Sequence, residues 1–431
     1  MRRKIKRTKQ NVRRIGGYER RKTKRLSLWL ILIVILPIVF GGGAYYVYRN
    51  QYNEYLRVYQ SYQPAFAPGD IILERANISL DRSFNLLLLG LDQKSGGHIK
   101  ADAVFIVHYD STSKHFQLFE LPNKVYYHYS PRNTYVELVN IYATGQLKSP
   151  ESGYSTLQAV IEQNLAIKID GYFALDLIGF ERIVRGLGNV VVQNSGSFLD
   201  NDLIEDGVRG EYEKGSLSLN TEDLISFIRA DEGGFYEKSN RHYSVIKSLL
   251  GNQKPRILVS GIGGFEAIDE HIYSNLEGET FRQFVRRLSS DGSFKFSYYQ
   301  LDSVLSRSDK LDKDYFDKNK FDDFVTSTFD NGEVVREQAR IEIYNSTSIS
   351  GLASKYKRIL QNMGCDIIRM ANTGINASKT IIVTENPEKF PLTITKIQES
   401  FPTDVEVVQD GLEFVTTGDI IVILAEDVES I

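Results

Sequence analysis

Asp92, Lys94, Lys100 and Asp102 lie within eleven residues of one another, in the stretch FNLLLLGLDQKSGGHIKADAVFIVHYD that runs from Phe84 to Asp110. Two acids that can hold a cation or a proton, beside two bases that can hold an anion, are the material of a charge-based site. The flanking runs, Leu86–Leu89 and Val104–Val107, are short and rich in branched residues, as buried strands are. An open α/β sheet builds its site in this way, in loops at the ends of its strands. Taken alone, the same loop also reads as a solvated connection between two core strands.

Around that loop the chain divides by charge. Its 431 residues suffice for two or three domains, and 42% hydrophobic with 25% charged residues is ordinary globular composition. Thirteen of the 52 lysines and arginines, but only one acid, Glu19, fall in residues 1–25, so the remainder carries 39 cations against 54 anions. From Leu26 to about Tyr48 there is no charge, with Trp29 and Tyr45, Tyr46 and Tyr48 near the ends. About 22 residues rising 1.5 Å each span about 33 Å, enough for the hydrocarbon core. The expected organisation is a basic cytoplasmic tail over 1–25, a transmembrane signal anchor over 26–48 and an acidic extracellular body, oriented by the positive-inside rule. The tail can also attract anionic headgroups; with no aromatic or base-reading residues in it, nucleic acid is not an expected partner. Cys365 is the only cysteine, which excludes an intrachain disulfide and a cysteine-rich zinc site.

Beyond the anchor, residues 49–80 read as a polar juxtamembrane stalk interrupted by Pro64 and Pro68. From 81 to 330, strand runs alternate with amphipathic helices, which predicts an α/β domain. Phe116–Leu121 is a third strand; Leu157, Val160, Ile161 and Leu165 share one helical face; Leu177–Leu187 is a helix ended by Gly188. Thr221–Ile228 is a helix entered through Asn220, and another covers Arg241–Leu250. Phe281–Leu288 looks helical and Phe294–Leu301 extended. A polar linker over 331–339 leads to residues 340–431, whose β-α-β-β-α-β-β pattern predicts a small α+β domain without a catalytic set.

In this order the motifs resemble the LytR-CpsA-Psr family of bacterial wall proteins, over the whole chain. The strand ending Leu89–Gly90–Leu91–Asp92 resembles its Gly-x-Asp signature, and Lys100–Ala101–Asp102–Ala103 its Arg-x-Asp-Thr signature. Leu219–Asn220–Thr221–Glu222 through Phe227–Ile228–Arg229 resembles its site helix, and a later family arginine falls on Arg241. Ile341–Asn345 and Ser350–Ala353 resemble the opening of the LytR-type C-terminal domain. The resemblance implies an α/β/α sandwich, and the transfer of a teichoic-acid-type or capsule-type glycopolymer from a polyprenyl-pyrophosphate carrier to peptidoglycan. It implies Asp92 and Asp102 as catalytic and Mg²⁺-holding residues, and Lys100, Arg229 and Arg241 as phosphate-binding. Leu157, Val160, Ile161, Leu165 and Phe180 are its candidates for a slot that takes the lipid tail. Other envelope-assembly proteins are further candidate partners.

Departures from the family pattern fall on the basic cluster. The arginine and aspartate after Pro122 are Asn123 and Lys124, and the first signature's arginine is Lys100, which lacks the bidentate fork. The second arginine of the Arg-x-Arg pair is Asp231, a family lysine is Leu138, and the glutamine after the last arginine is His242. Lys124, Arg132 and Lys238 are the basic residues left to compensate. A non-catalytic relative that binds or regulates in envelope biogenesis is therefore the alternative reading. A signalling protein working through its basic tail is a third.

Overall fold

The computed structural model describes residue 65 and residues 75–428, less 93–98, 150–151, 206, 252–268, 281–294, 309–311, 330–331, 375–376, 402 and 410–415. The tail and anchor over 1–48 and the helix read at Phe281–Leu288 lie outside the described residues. Among the described residues, no helix is long and apolar enough to cross a membrane.

The sheet that carries the site has six strands: β1 (Phe84–Asp92), β2 (Lys100–Asp110), β3 (His115–Glu120), β4 (Gly171–Asp176), β5 (Ile272–Ser274) and β6 (Lys295–Gln300). Their order is β5-β4-β1-β2-β3-β6, with β1/β4 and β3/β6 parallel and the other pairs antiparallel. Because successive strand residues point to opposite faces, β1 feeds two cores. Leu87, Leu89 and Leu91 pack on the helices α1 (Leu138–Lys148) and α2 (Gly153–Leu165). Leu86 and Leu88 face α3 (Leu177–Leu187), α4 (Thr221–Arg229) and α5 (Gly234–Gly251). The result is a mixed α/β domain with helices on both faces of the sheet.

Local signals fix the helix starts. Asp176 caps α3 by accepting from the Gly179 N–H at 2.8 Å, and Gly188, at φ 73°, ends it. Asn220 caps α4 by accepting from the Asp223 N–H at 2.9 Å. Helix α5 begins seven residues before the expected Arg241, because Gly233 and Gly234 at φ 82° and 69° turn the chain sharply after Asp231.

Three expectations about organisation change. Residues 75–80, read as stalk, belong to the folded domain: Ile78 and Leu80 are buried in its core, and Ala76 bridges to Leu276. Residues 331–339, read as linker, contain the helix Gly332–Glu337, whose Val334 joins the C-terminal core and whose Glu337 accepts from the Leu392 and Thr393 N–H groups. The C-terminal domain has the expected element order but is α/β, not α+β. Its strands β7 (Arg340–Asn345), β8 (Asp366–Asn372), β9 (Ile381–Val383), β10 (Glu406–Val408) and β11 (Ile420–Leu424) lie in the order β8-β7-β11-β9-β10. Helices α7 (Leu352–Asn362) and α8 (Pro391–Glu399), numbered after α6 (Lys318–Thr328), each return the chain to a parallel neighbour; only β9/β11 is antiparallel.

Candidate active site

The two carboxylates meet because of one extra residue. Gly90 pairs with Ala103 and Leu91 with Ala101, so Asp102 stands unpaired in a bulge of β2, and Asp92 pairs with Lys100. In an unbroken strand Asp102 would share the face of Val104 and Ile106, in the core against α1 and α2. The bulge turns it to the face of Asp92 instead. Asn123 secures it by donating its side-chain amide to the Asp102 backbone carbonyl. That asparagine, where the family pattern has an arginine, thus holds backbone.

Both acids line one apolar cavity of about 210 Å³ between the sheet and helices α3, α4 and α5. Its walls include Leu88, Phe105, Phe173, Leu175, Phe180, Ile183, Ile228 and Val245, and between them it is lined by the small residues Gly90 and Ala103. A Cβ on Gly90 would come within 3.1 Å of the Ala103 Cβ, so small residues at this crossing leave the space open. The polar end carries two ion pairs. Arg229 donates to Asp92 at 3.4 Å, and Lys238 to Asp102 at 3.4 Å. Asp92 is 6% exposed, whereas a third of the Asp102 side chain meets solvent, at 31%.

A second acid–base group backs the cavity. His242, which also lines it, points Nδ1 at the Glu120 carboxylate at 2.5 Å and Nε2 at the Ile228 carbonyl at 3.0 Å. The ring thus spans the Glu120 carboxylate on one side and the end of α4 on the other. Burial works to raise the Glu120 carboxyl, but His242 and hydrogen bonds from Tyr298 and Ser239 outweigh it and hold the group below the usual carboxylate range. The family glutamine has become one half of a buried pair.

The residues expected from sequence do not all converge. Asp92, Asp102, Arg229 and Phe180 share the cavity. Lys100 opposes Asp92 across the β1–β2 ladder. Arg241 turns elsewhere: 2% exposed, it donates to the carbonyls of Ala230 and, at 3.1 Å, Glu232, and lies over the Phe198 ring. Its guanidinium holds the loop after α4 and is not among the cavity walls. Leu157, Val160, Ile161 and Leu165 are corrected likewise. They sit on α2, on the opposite side of the sheet, and are fully packed against odd-numbered β1 residues at 0–2% exposure. The walls on β1 were within reach of the strand period, since Leu88 and Gly90 share the parity of Asp92. Those on α5 were not, because nothing local says which sheet face that helix covers.

For a divalent ion the fit is partial and specific. Among the described residues, no three carboxylates, imidazoles or thiols come together as a complete metal site. Mg²⁺, however, is commonly held by one or two carboxylates plus substrate phosphates, and Asp92 and Asp102 at one cavity mouth match that donor set.

Comparison with known proteins bears on the same region. Residues 51–326 match the family described as LytR_cpsA_psr, and residues 338–427 match the domain described as LytR cell envelope-related transcriptional attenuator. The polyisoprenyl-teichoic acid–peptidoglycan teichoic acid transferase TagU of Bacillus licheniformis is 21% identical over 264 residues, 60% of this chain and 80% of its own length. TagV of Bacillus subtilis, of the same description, is 23% identical over 270 residues, 60% of this chain and 64% of its own. A solved structure of TagT bound to LI-WTA aligns at 18% identity with a TM-score of 0.44, covering 60% of this chain and 96% of that one.

Proposed function

Because the chain belongs to the LytR-CpsA-Psr family, with a LytR-type C-terminal domain, we propose that it is an envelope glycopolymer transferase. It takes a teichoic-acid-type or capsule-type polymer from a polyprenyl-pyrophosphate carrier and joins it to peptidoglycan through a phosphodiester. In this reading residues 1–25 are cytoplasmic, 26–48 anchor the chain and the rest works outside the membrane. The observation that carries the reading is a cavity that is apolar along its length and charged at one end. A polyprenyl chain suits the walls of Phe105, Phe173, Phe180 and Ile183, and a diphosphate suits the end that Arg229 lines, with Lys238 paired to Asp102 next to it.

Roles follow from exposure and pairing. Arg229, oriented by the buried Asp92, binds phosphate oxygens with fixed geometry. Asp102, the more exposed acid, accepts the proton of the acceptor hydroxyl as its oxygen bonds to the polymer-bearing phosphorus and the polyprenyl phosphate leaves. A Mg²⁺ ion held by Asp92 and Asp102 would supply neutralisation of the diphosphate charge. The walls keep the lipid dry and hold its phosphates at the mouth.

One observation favours the non-catalytic relative as a second reading: Arg229 and Lys238 already answer carboxylates of the chain, and Asn123 and Asp231 stand where the family pattern has arginines. The test that separates the two uses full-length protein from a bacterial membrane fraction. Native mass spectrometry is followed by a Mg²⁺-dependent assay for cleavage of a pyrophosphate-linked lipid. Bound lipid with cleavage that falls at least a hundredfold in Asp102→Ala establishes the transferase. Bound lipid without cleavage establishes the binder, and no lipid at all removes the cavity from either reading.

A further inference from the structure

Asp231 is the residue that the reading above leaves without a task. It follows α4 by two positions, and its carboxylate bridges two cations: Lys124, by a direct ion pair, and Lys238 at 3.1 Å. Lys238 in turn reaches Asp102 at 3.4 Å, which puts the bridge one ammonium group from the cavity mouth. The lysines come from separate elements, Lys124 from the turn after β3 and Lys238 from α5. The shared carboxylate draws them together.

The backbone around Asp231 is tied down at three consecutive residues. The Arg241 guanidinium binds the carbonyls on both sides, Ala230 and Glu232, and the Asp231 N–H donates to Asp200 at 3.1 Å. A buried arginine pinning the neighbours of a half-exposed carboxylate is more than a solvated surface pair needs. Surface ion pairs contribute little and their side chains move freely; here the anion is presented at a fixed place.

We propose that Asp231 is a resident anion in the phosphate subsite, occupying the two lysines that an incoming diphosphate must take over. This rests on the cavity being a polyprenyl-diphosphate site, and adds a specificity-determining residue to it. Lys124 and Lys238 would otherwise form an anion clamp beside Arg229. With Asp231 in place, only a ligand carrying enough charge to exchange with a carboxylate gains them. Arg241, by this account, is a positioning residue for Asp231.

The test measures binding of geranylgeranyl diphosphate to the full-length protein in detergent, for the wild type, Asp231→Asn, Lys124→Gln and the double variant. Asp231→Asn is expected to bind about tenfold more tightly, and Lys124→Gln to weaken binding several-fold in the Asp231→Asn background but by less than twofold in the wild type. That coupling separates competition from a structural role, because a merely structural Asp231 would give the same lysine effect in both backgrounds. Unchanged or weaker binding in Asp231→Asn overturns the proposal: Asp231 would then be idle, or would hold Lys238 in place for phosphate. If neither the wild type nor any variant binds the diphosphate while all remain folded, the reading of the cavity fails, and the proposal with it.

Discussion

Asp102 reaches the cavity only because β2 carries one residue more than β1 at that point, and this shows what a residue-level reading can and cannot supply. That Asp92 and Asp102 are close was legible, because a short loop between two apolar runs leaves them nowhere else to go. The bulge was not, since Lys100–Ala101–Asp102–Ala103 has no glycine to mark it. Nor was the fate of Arg241, whose partners are backbone carbonyls that no side-chain pattern announces. The Glu120–His242 pair was hidden for a similar reason, as the two are 122 positions apart. Its energetics are testable. Removing one partner of a buried ion pair costs about 3 kcal/mol, since the other is left uncompensated, so Glu120→Gln is expected to lose that much at pH 7. The folded-state carboxyl lies below its ordinary value of 4.5. Its contribution is therefore complete above pH 4.5 and disappears as the pH falls through the folded value. Urea denaturation of the wild type and Glu120→Gln at pH 7 and pH 3.5 should show the gap narrowing; a gap that widens in acid would contradict the assignment.

At the scale of elements, β1, β2, α3 and the C-terminal strands were readable because each carries its own signal: a run of branched residues, a capping Asp or Asn, a terminating glycine. What local pattern cannot give is the face of the sheet on which each helix lies. The apolar stripe of α2 was therefore a fair candidate for a lipid slot, and became core because β1 presents Leu87, Leu89 and Leu91 to it with no gap. The gap is on the other face, at the crossing of Gly90 and Ala103. If that crossing is what keeps the cavity open, Ala103→Leu should fill it. Leucine there enters existing space, so the stability change should stay within about 1 kcal/mol, under the usual range for overpacking. Polyprenyl diphosphate binding should fall at least thirtyfold, read by titration with geranylgeranyl diphosphate. Binding that survives the leucine would place the lipid outside the cavity.

At the scale of the whole molecule, the two domains join through a helix end. The last carbonyls of a helix have no partner within it, and those of α2 are met by the C-terminal domain. Arg358 on α7 donates to the carbonyls of Gln163 at 3.3 Å and Asn164 at 2.8 Å, and Asn362, one turn on, donates to Leu165 at 3.0 Å and Ala166 at 3.3 Å. Both also bind Asp322 on α6, and Lys168 donates to the Glu399 carbonyl nearby. Because α2 packs directly under β1, this contact ties the C-terminal domain to the sheet that carries Asp92. Arg358→Ala removes charge-assisted bonds to three carbonyls and one carboxylate, for about 2–3 kcal/mol after allowance for partial exposure. The loss falls on the joint, since Arg358 contributes to neither core. Calorimetry should therefore resolve two unfolding transitions in Arg358→Ala where the wild type shows one. Arg358→Lys should behave much like the alanine variant, because an ammonium cannot span the diverging carbonyls as the planar fork does. A single transition shifted downward as a whole would mean that contacts other than the capping of α2 make the two domains unfold together.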